Sequence, residues 1–341
     1  MTTRMIGTTN HGFAQYAQEE IRRKAPGVKF QVLEPGEVFL IHTEVPLEEM
    51  QRSLQEDEPI FLRHVQPVTQ ELSITRTRAD LDMLINFVQD LTGVFTPGER
   101  VAVQVRKAPG VKCEYTPYGV KEAIDPILAQ THEVEPVIQK PDRIISIYLT
   151  AELLYWGISK PEENLSDWSG GAVRYKQEEG QISRAVFKLL EAEERFGLDL
   201  ASFERALDIG AAPGGWSSLL LKRGLQVTAV DPGEMHADLL SNPNLKHLKN
   251  NAGDVRFEED AFDLLVCDMS WSPKQMSKLV FDLLDALQVG GTAIITVKLM
   301  HGKAFQAIKE TVAAFGGQLE LLKAKQLFHN RDELTLYLLK Q

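Results

Sequence analysis

The chain has 341 residues, of which 43% are apolar and 25% charged, and its net charge is −11. That length suits two or three compact domains, and that composition excludes a disordered or collagen-like chain. No apolar run approaches the ~18 residues of a membrane helix, and residues 1–7 lack a signal-peptide core, so a cytoplasmic protein is expected.

The two cysteines, Cys113 and Cys267, sit in no metal-ligand spacing, so neither a disulfide framework nor a metal site is expected. Acidity by itself disfavours a polyanionic partner. Lysine and arginine nevertheless gather in 100–121, 174–188 and 298–325, which leaves room for a local basic face.

In the N-terminal half the patterning predicts a helix over 12–24, strands over 28–33 and 38–42, and a helix over 46–54. A helix over 78–91, a strand over 100–106, a helix over 118–131 and a strand over 143–150 follow. This is an α+β region without a catalytic constellation. Residues 159–180 contain Pro161, Gly170, Gly171 and Gly180 among polar residues and read as a linker. The C-terminal half alternates: helix 184–196, strand 205–209, helix 216–223, strand 226–230, strand 262–267, helix 274–287, and strands 292–297, 319–326 and 333–339. Such alternation predicts an α/β domain with a mostly parallel, helix-covered sheet.

Asp208-Ile-Gly-Ala-Ala-Pro-Gly-Gly-Trp216 joins the first of these strands to a helix. Glycine permits unusual backbone angles and close ligand approach. The helix start offers unpaired N–H groups to a carboxylate such as that of a methionine moiety. The spacing is neither G-x-G-x-x-G nor a P-loop, which disfavours a dinucleotide or nucleoside triphosphate. Asp208, Gly210, Ala211, Ala212, Pro213, Gly214, Gly215 and Trp216 are therefore candidate cofactor contacts. Asp231, ending the next strand, can accept ribose hydroxyls. Either Asn251 or Asp254 can meet an adenine edge. Asp268 ends a later strand and faces the reactive group.

Lys188 stands in Ser183-Arg-Ala-Val-Phe-Lys-Leu, Asp268 in Val266-Cys-Asp-Met, Lys298 in Thr296-Val-Lys-Leu, and Glu333 in Asn330-Arg-Asp-Glu-Leu-Thr. With the glycine-rich loop, these segments resemble the FtsJ-type (RrmJ-type) RNA ribose 2′-O-methyltransferases, known for a Lys-Asp-Lys-Glu tetrad on a Rossmann-like fold. The likeness is greatest to members that act on a cytidine of large-subunit (23S) ribosomal RNA. Those members share the loop, Val-Cys-Asp-Met, and a counterpart of Gln326-Leu-Phe-His-Asn-Arg-Asp-Glu333. They also carry an N-terminal THUMP domain. Here Arg143-Ile-Ile-Ser-Ile-Tyr-Leu and Tyr155-Trp-Gly-Ile158 resemble its C-terminal hairpin.

The resemblance implies a Rossmann-like methyltransferase domain over 181–341, using S-adenosyl-L-methionine and no metal. Before it would come a ferredoxin-like α+β domain over 1–65, a THUMP-like RNA-binding domain over 66–160 and a linker over 161–180. It implies RNA as partner, 23S ribosomal RNA or a precursor, and Lys188, Asp268, Lys298 and Glu333 as catalytic residues. Another RNA, or a non-catalytic RNA-binding protein retaining the fold, stays open as an alternative.

The chemistry can be argued separately. A ribose hydroxyl needs a base to become a good nucleophile. Lys298 is the candidate, although a free lysine titrates at about 10.4, so burial or a second cation such as Lys188 must lower it. Asp268 and Glu333 would orient the ammonium and the hydroxyl. Cys267 precedes Asp268, no Pro-Cys or Asn-Pro-Pro-Tyr motif is present, and methylation of bases is disfavoured. Arg174, Tyr175 and Lys176, and also Arg106, Lys107 and Lys112, have the chemistry to hold RNA. His301 reads either as a further RNA contact or as a solvated loop residue.

Overall fold

A computed structural model of the chain describes residues 2–177, 179–299 and 302–341, so His301 lies outside the described residues. The chain forms two compact units, Met1–Val173 and Arg174–Gln341.

The first unit begins with β1 (Thr3–Thr8), α1 (Ala14–Lys24), β2 (Lys29–Glu34), β3 (Val38–Thr43), α2 (Leu47–Glu56) and β4 (His64–Pro67). This βαββαβ run folds into a sheet of order β2-β3-β1-β4, the ferredoxin-like arrangement. The helices bury Ala17 with Ile21 and Met50 with Leu54, the i, i+4 stripe of a helix laid on a sheet. A second sheet follows, built from β5 (Gln70–Ser73), α3 (Ala79–Gln89), β6 (Arg100–Lys107), α4 (Pro117–Thr131), β7 (Glu135–Pro136), β8 (Arg143–Leu149) and β9 (Leu153–Ser159). Its order is β5-β9-β8-β6-β7, with β8 and β9 forming an antiparallel hairpin. Leu84 and Val88 of α3 and Val120 and Ile124 of α4 pack with Ile145 and Trp156.

Arg106 departs from its expected role as an RNA contact. Its guanidinium donates to Thr8 Oγ1 at 2.8 Å and Gln66 Oε1 at 3.0 Å, and lies 5.2 Å from the Tyr148 ring centroid. Those partners sit on β1, β4 and β8, so Arg106 ties the two sheets of this unit together. A guanidinium withdrawn from water needs such partners for its donors, and two of these are spent on the neighbouring sheet. Residues 161–173 are bound to the same unit: the Gly170 and Asp167 carbonyls accept from Arg63 Nε (2.9 Å) and Gln104 Nε2 (2.6 Å).

The second unit contains α5 (Val186–Phe196), β10 (Arg205–Ile209), α6 (Gly215–Lys222), β11 (Gln226–Val230), α7 (Ala237–Leu240), β12 (Leu245–Leu248), β13 (Phe262–Cys267), α8 (Pro273–Phe281), β14 (Leu287–Lys298), α9 (Ala304–Ala314), β15 (Leu319–Lys325) and β16 (Glu333–Lys340). Its sheet runs β12-β11-β10-β13-β14-β16-β15. The strands from β12 to β14 are parallel, and β16 is antiparallel to both neighbours. Leu264, Val266 and Ile294 meet Leu189, Trp216 and Leu220 of α5 and α6. The alternate residues Leu265, Cys267, Ala293 and Ile295 are equally buried. A sheet covered on both faces requires such continuous apolar strands. This is the Rossmann-like α/β fold expected of the C-terminal half.

Between β10 and β13 the winding reverses, the place where sheets of this kind form a ligand crevice beyond the carboxyl ends of their strands. Ile209 pairs with Cys267 across these strands. The glycine-rich loop and Asp268 consequently leave the sheet side by side. Among the described residues no helix is long and apolar enough to cross a membrane.

Candidate active site

Lys188 is the centre of the constellation. Its ammonium donates to Asp268 Oδ1 at 2.9 Å and Oδ2 at 3.2 Å, and to Glu333 Oε2 at 2.6 Å. Burial alone would lower its pKa, but the two carboxylates more than offset that and raise it above the usual lysine value. Thr296 Oγ1 donates to Asp268 Oδ1 at 2.8 Å. Lys298 lies two residues further along β14, on the same strand face, and pairs directly opposite Glu333 of β16. Cross-strand partners project to one side, so Lys298 joins the cluster from the sheet. All four expected catalytic residues are thus brought together. Lys298 is exposed and makes no hydrogen bond or ion pair among the described residues. Burial, one of the two devices expected to lower its proton affinity, is therefore absent.

Two residues that sequence reasoning missed position this cluster. Thr296 is one. Glu191 is the other: its buried carboxylate accepts the backbone N–H of Phe328 (2.7 Å) and of His329 (3.0 Å) and pairs with His329 Nδ1 at 2.7 Å. It fixes the turn that delivers Glu333. The readable signal was spacing, since Glu191 follows Lys188 by one helical turn on the same face of α5.

The loop after β10 has Gly210 at φ 77° and Gly214 at φ 110°, conformations that side chains make costly. A Cβ on Gly210 would stand 2.5 Å from Met269 Cγ, and one on Gly214 would stand 2.3 Å from Leu239 Cδ1. Asp231 Oδ1 accepts from Gly233 N at 2.7 Å and its Oδ2 from Ala212 N at 3.2 Å, which leaves each oxygen a further lone pair. Ala211, Gly214 and Gly215 are buried, while Pro213 is exposed. Asp208 is buried and accepts from Ser217 Oγ at 2.6 Å, pinning α6 to β10. Burial pushes its carboxyl up to about 7, and the neighbouring Asp268 and Asp231 push in the same direction. Trp216 is buried too, its indole N–H donating to the Ala185 carbonyl at 2.8 Å. Asn251 and Asp254, the two adenine candidates, are exposed and bonded to each other at 3.3 Å. Cys267 is fully buried and its thiol is pushed up by that burial, which suits a core residue rather than a nucleophile.

A cleft of about 870 Å³ opens beside the cluster, lined by Lys188, Lys298 and Glu333 together with Tyr175, Phe187 and His329. Among the described residues no three metal-ligating side chains converge.

Residues 181–327 match the FtsJ-like methyltransferase family. Curated relatives include the ribosomal RNA large subunit methyltransferase M of Pseudoalteromonas translucida, 31% identical over 60% of this chain and 59% of that one. The protein of that name in Laribacter hongkongensis is 34% identical over 53% of this chain and 54% of its own. These matches therefore span little more than half of the relatives' length. The Aeromonas salmonicida protein of the same name aligns over 88% of this chain and 85% of its own at 27% identity. The solved structure of TrmN from Thermus thermophilus aligns over 99% of this chain and 100% of that one, at 15% identity and a TM-score of 0.42. The C-terminal unit, with its glycine-rich turn at the switch point and its gathered tetrad, is thus similar to the FtsJ-like methyltransferases over residues 181–327.

Proposed function

We propose that this chain is an S-adenosylmethionine-dependent RNA ribose 2′-O-methyltransferase acting on a cytidine of 23S ribosomal RNA. One observation carries the reading: Lys188 bridges Asp268 and Glu333 while Lys298 stands opposite Glu333 at the same strand ends. The names of the relatives support the RNA class. Such a substrate puts the protein in the cytoplasm, and residues 66–160 are the proposed THUMP-like RNA-binding module.

The residues of the crevice fit the cofactor. Asp208, Asp231 and Asp268 lie close enough for the last two to raise the first, and three carboxylates favour a cationic sulfonium. The 210–215 backbone would take the methionine carboxylate, Asp231 the ribose hydroxyls, and Asn251 or Asp254 the adenine. S-adenosylmethionine supplies a methyl already activated on sulfur, so the protein has to align and deprotonate the acceptor.

Lys298 accepts the proton of the 2′-hydroxyl. An RNA strand seated over the cleft would bring the 2′-hydroxyl to Lys298 and remove water from around it. Asp268 and Glu333 hold Lys188 in place. Lys298→Ala should cut transfer by about a hundredfold or more while leaving donor binding intact, and undiminished turnover would refute the assignment. Mass-spectrometric mapping of ribose methylation in ribosomal RNA, with and without the gene, tests the substrate. Unchanged maps would remove 23S ribosomal RNA from the proposal.

A further inference from the structure

We propose that the cleft beside the tetrad contains a nucleobase-stacking subsite, formed by Tyr175, Phe187 and His329, which seats an unpaired base next to the target ribose. Arg184 and Arg331 take the flanking phosphates. The inference rests on the RNA methyltransferase reading above and adds the means by which RNA is gripped.

The three rings form a mutual stack. Their centroids lie 5.6 Å apart for Tyr175–Phe187, 5.5 Å for Tyr175–His329 and 5.3 Å for Phe187–His329. Each ring is partly exposed, and all three line the cleft that contains Lys188, Lys298 and Glu333. Their edges are anchored. The Tyr175 hydroxyl donates to Glu194 Oε2 at 3.0 Å, and His329 Nδ1 pairs with Glu191 Oε2 at 2.7 Å. Phe187 rests against the core formed by α5, α6 and the sheet. Rings held by their edges keep their faces in a fixed position, and a fixed aromatic face binds a base with little loss of side-chain freedom.

Although Glu191 and Glu194 hold two of the ring edges, the exposed charge that lines the cleft points to a polyanion. The exposed charged side chains lining the cleft are Arg184, Lys298 and Arg331 against a single carboxylate, Asp332. That cationic balance is local, in a chain of net charge −11. Aromatic faces beside cations are how single-stranded nucleic acid is held without reading its sequence. Arg331 adds a second sign. Its backbone, at φ 54° and ψ −110°, lies where residues with a side chain are rarely found. Gln326 Nε2 holds it there by donating to the Arg331 carbonyl at 2.8 Å. Strain of this kind collects at ligand-binding positions.

The probe is a short single-stranded oligoribonucleotide carrying 2-aminopurine, added to the full-length protein. Stacking on the rings should quench its fluorescence. Tyr175→Ala and His329→Ala should abolish the quenching and raise the Kd roughly ten- to a hundredfold. Tyr175→Phe, which keeps the ring, should recover most of the affinity lost in Tyr175→Ala. With ribosomal RNA and a tritiated donor, the alanine variants should raise KM far more than they lower kcat, and their donor affinity by calorimetry should hold. A role confined to packing would instead lower the melting temperature and leave RNA affinity at its parental value. The quenching experiment on the unsubstituted protein needs no variant, so misfolding of a variant cannot shelter the idea. A protein that methylates ribosomal RNA but never quenches the probe overturns the subsite and leaves the activity standing. So does one that binds an acidic peptide in this cleft in preference to the oligonucleotide. A protein that transfers no methyl group to ribose overturns both.

Discussion

Asp208→Asn should make the second unit more stable and a poorer binder of its cationic donor. Asp208 is buried at the end of β10 with Ser217 as its hydrogen-bond partner. Burial, followed by the nearby Asp268 and Asp231, carries its carboxyl from 3.8 to about 7. Between those values the folded state keeps a proton that the unfolded chain has released. Stability therefore falls as pH rises from 3.8, and the fall ends once pH passes about 7. At roughly 1.4 kcal/mol per pH unit, the whole loss is about 4 kcal/mol. Asparagine has nearly the same shape, can still bond to Ser217, and has no such dependence. Between pH 5 and pH 8 the variant should gain about 3 kcal/mol on its parent, with nothing further above neutrality. The chain has two units, so a whole-chain melt would mix two transitions. Hydrogen exchange of the β10 and α6 amides, followed by mass spectrometry across this pH range, isolates the right one. Above about pH 7, where Asp208 is ionised, the same variant also removes a negative charge near the donor, so the sulfonium should lose affinity while S-adenosylhomocysteine, whose sulfur is uncharged, loses little. Variant and parent stabilities that stay parallel from pH 5 to pH 8 would refute the reasoning.

Three other perturbations follow from the geometry. Lys188→Gln leaves the Asp268 and Glu333 carboxylates without their shared cation, and single-turnover transfer should drop about a hundredfold or more; near-parental transfer would show that the bridge is incidental. Glu191→Ala strands the N–H groups of Phe328 and His329 and should cost about 2–4 kcal/mol in the second unit, measured by the same exchange experiment. Its activity loss should shrink in Glu191→Gln, which can still accept hydrogen bonds. Gly210→Ala drives a Cβ to 2.5 Å from Met269 Cγ at a φ of 77°, so calorimetry should show donor affinity falling about tenfold or more, whereas RNA affinity should be retained.

Much of the C-terminal domain was legible because its strands carry strong signals. The runs 205–209, 226–230 and 262–267 coincide with β10, β11 and β13, each apolar and each ending on an acidic or glycine-rich turn. Other elements escaped for physical reasons. β1 is central in its sheet, and its Met5, Ile6 and Gly7 give no alternation to detect. β12 is short and lies at a sheet edge, where Leu245 and Leu248 are only half-buried. α8 stops at Phe281 rather than near 287, because a separate turn at Leu284–Ala286 feeds Leu287 into β14. Arg106 read as a surface cation because sequence shows charge but not the Thr8 and Gln66 partners that capture it. In the site, the residue types of the tetrad were readable. The partners that hold them, Thr296 and Glu191, became visible only when distant segments met.

The two lysines of the tetrad are unlike, and the difference decides which of them can take a proton. Lys188 sits on α5 with three hydrogen bonds to two carboxylates, and they hold it protonated. Deprotonating it would leave Asp268 and Glu333 facing each other without a counter-ion, at a cost of several kcal/mol for a partly buried pair. A group so placed is a fixed charge and a poor base. Lys298, at the open end of β14, has no ion pair to break among the described residues. Ala185, at the N-cap of α5, also accepts from Trp216, and Glu191 of α5 holds the turn before Glu333. Disturbing this helix therefore disturbs donor loop and tetrad together, whereas Lys298 can be removed with the rest of the site in place. Loss of α5 contacts should weaken donor binding and transfer alike, and loss of Lys298 should separate them.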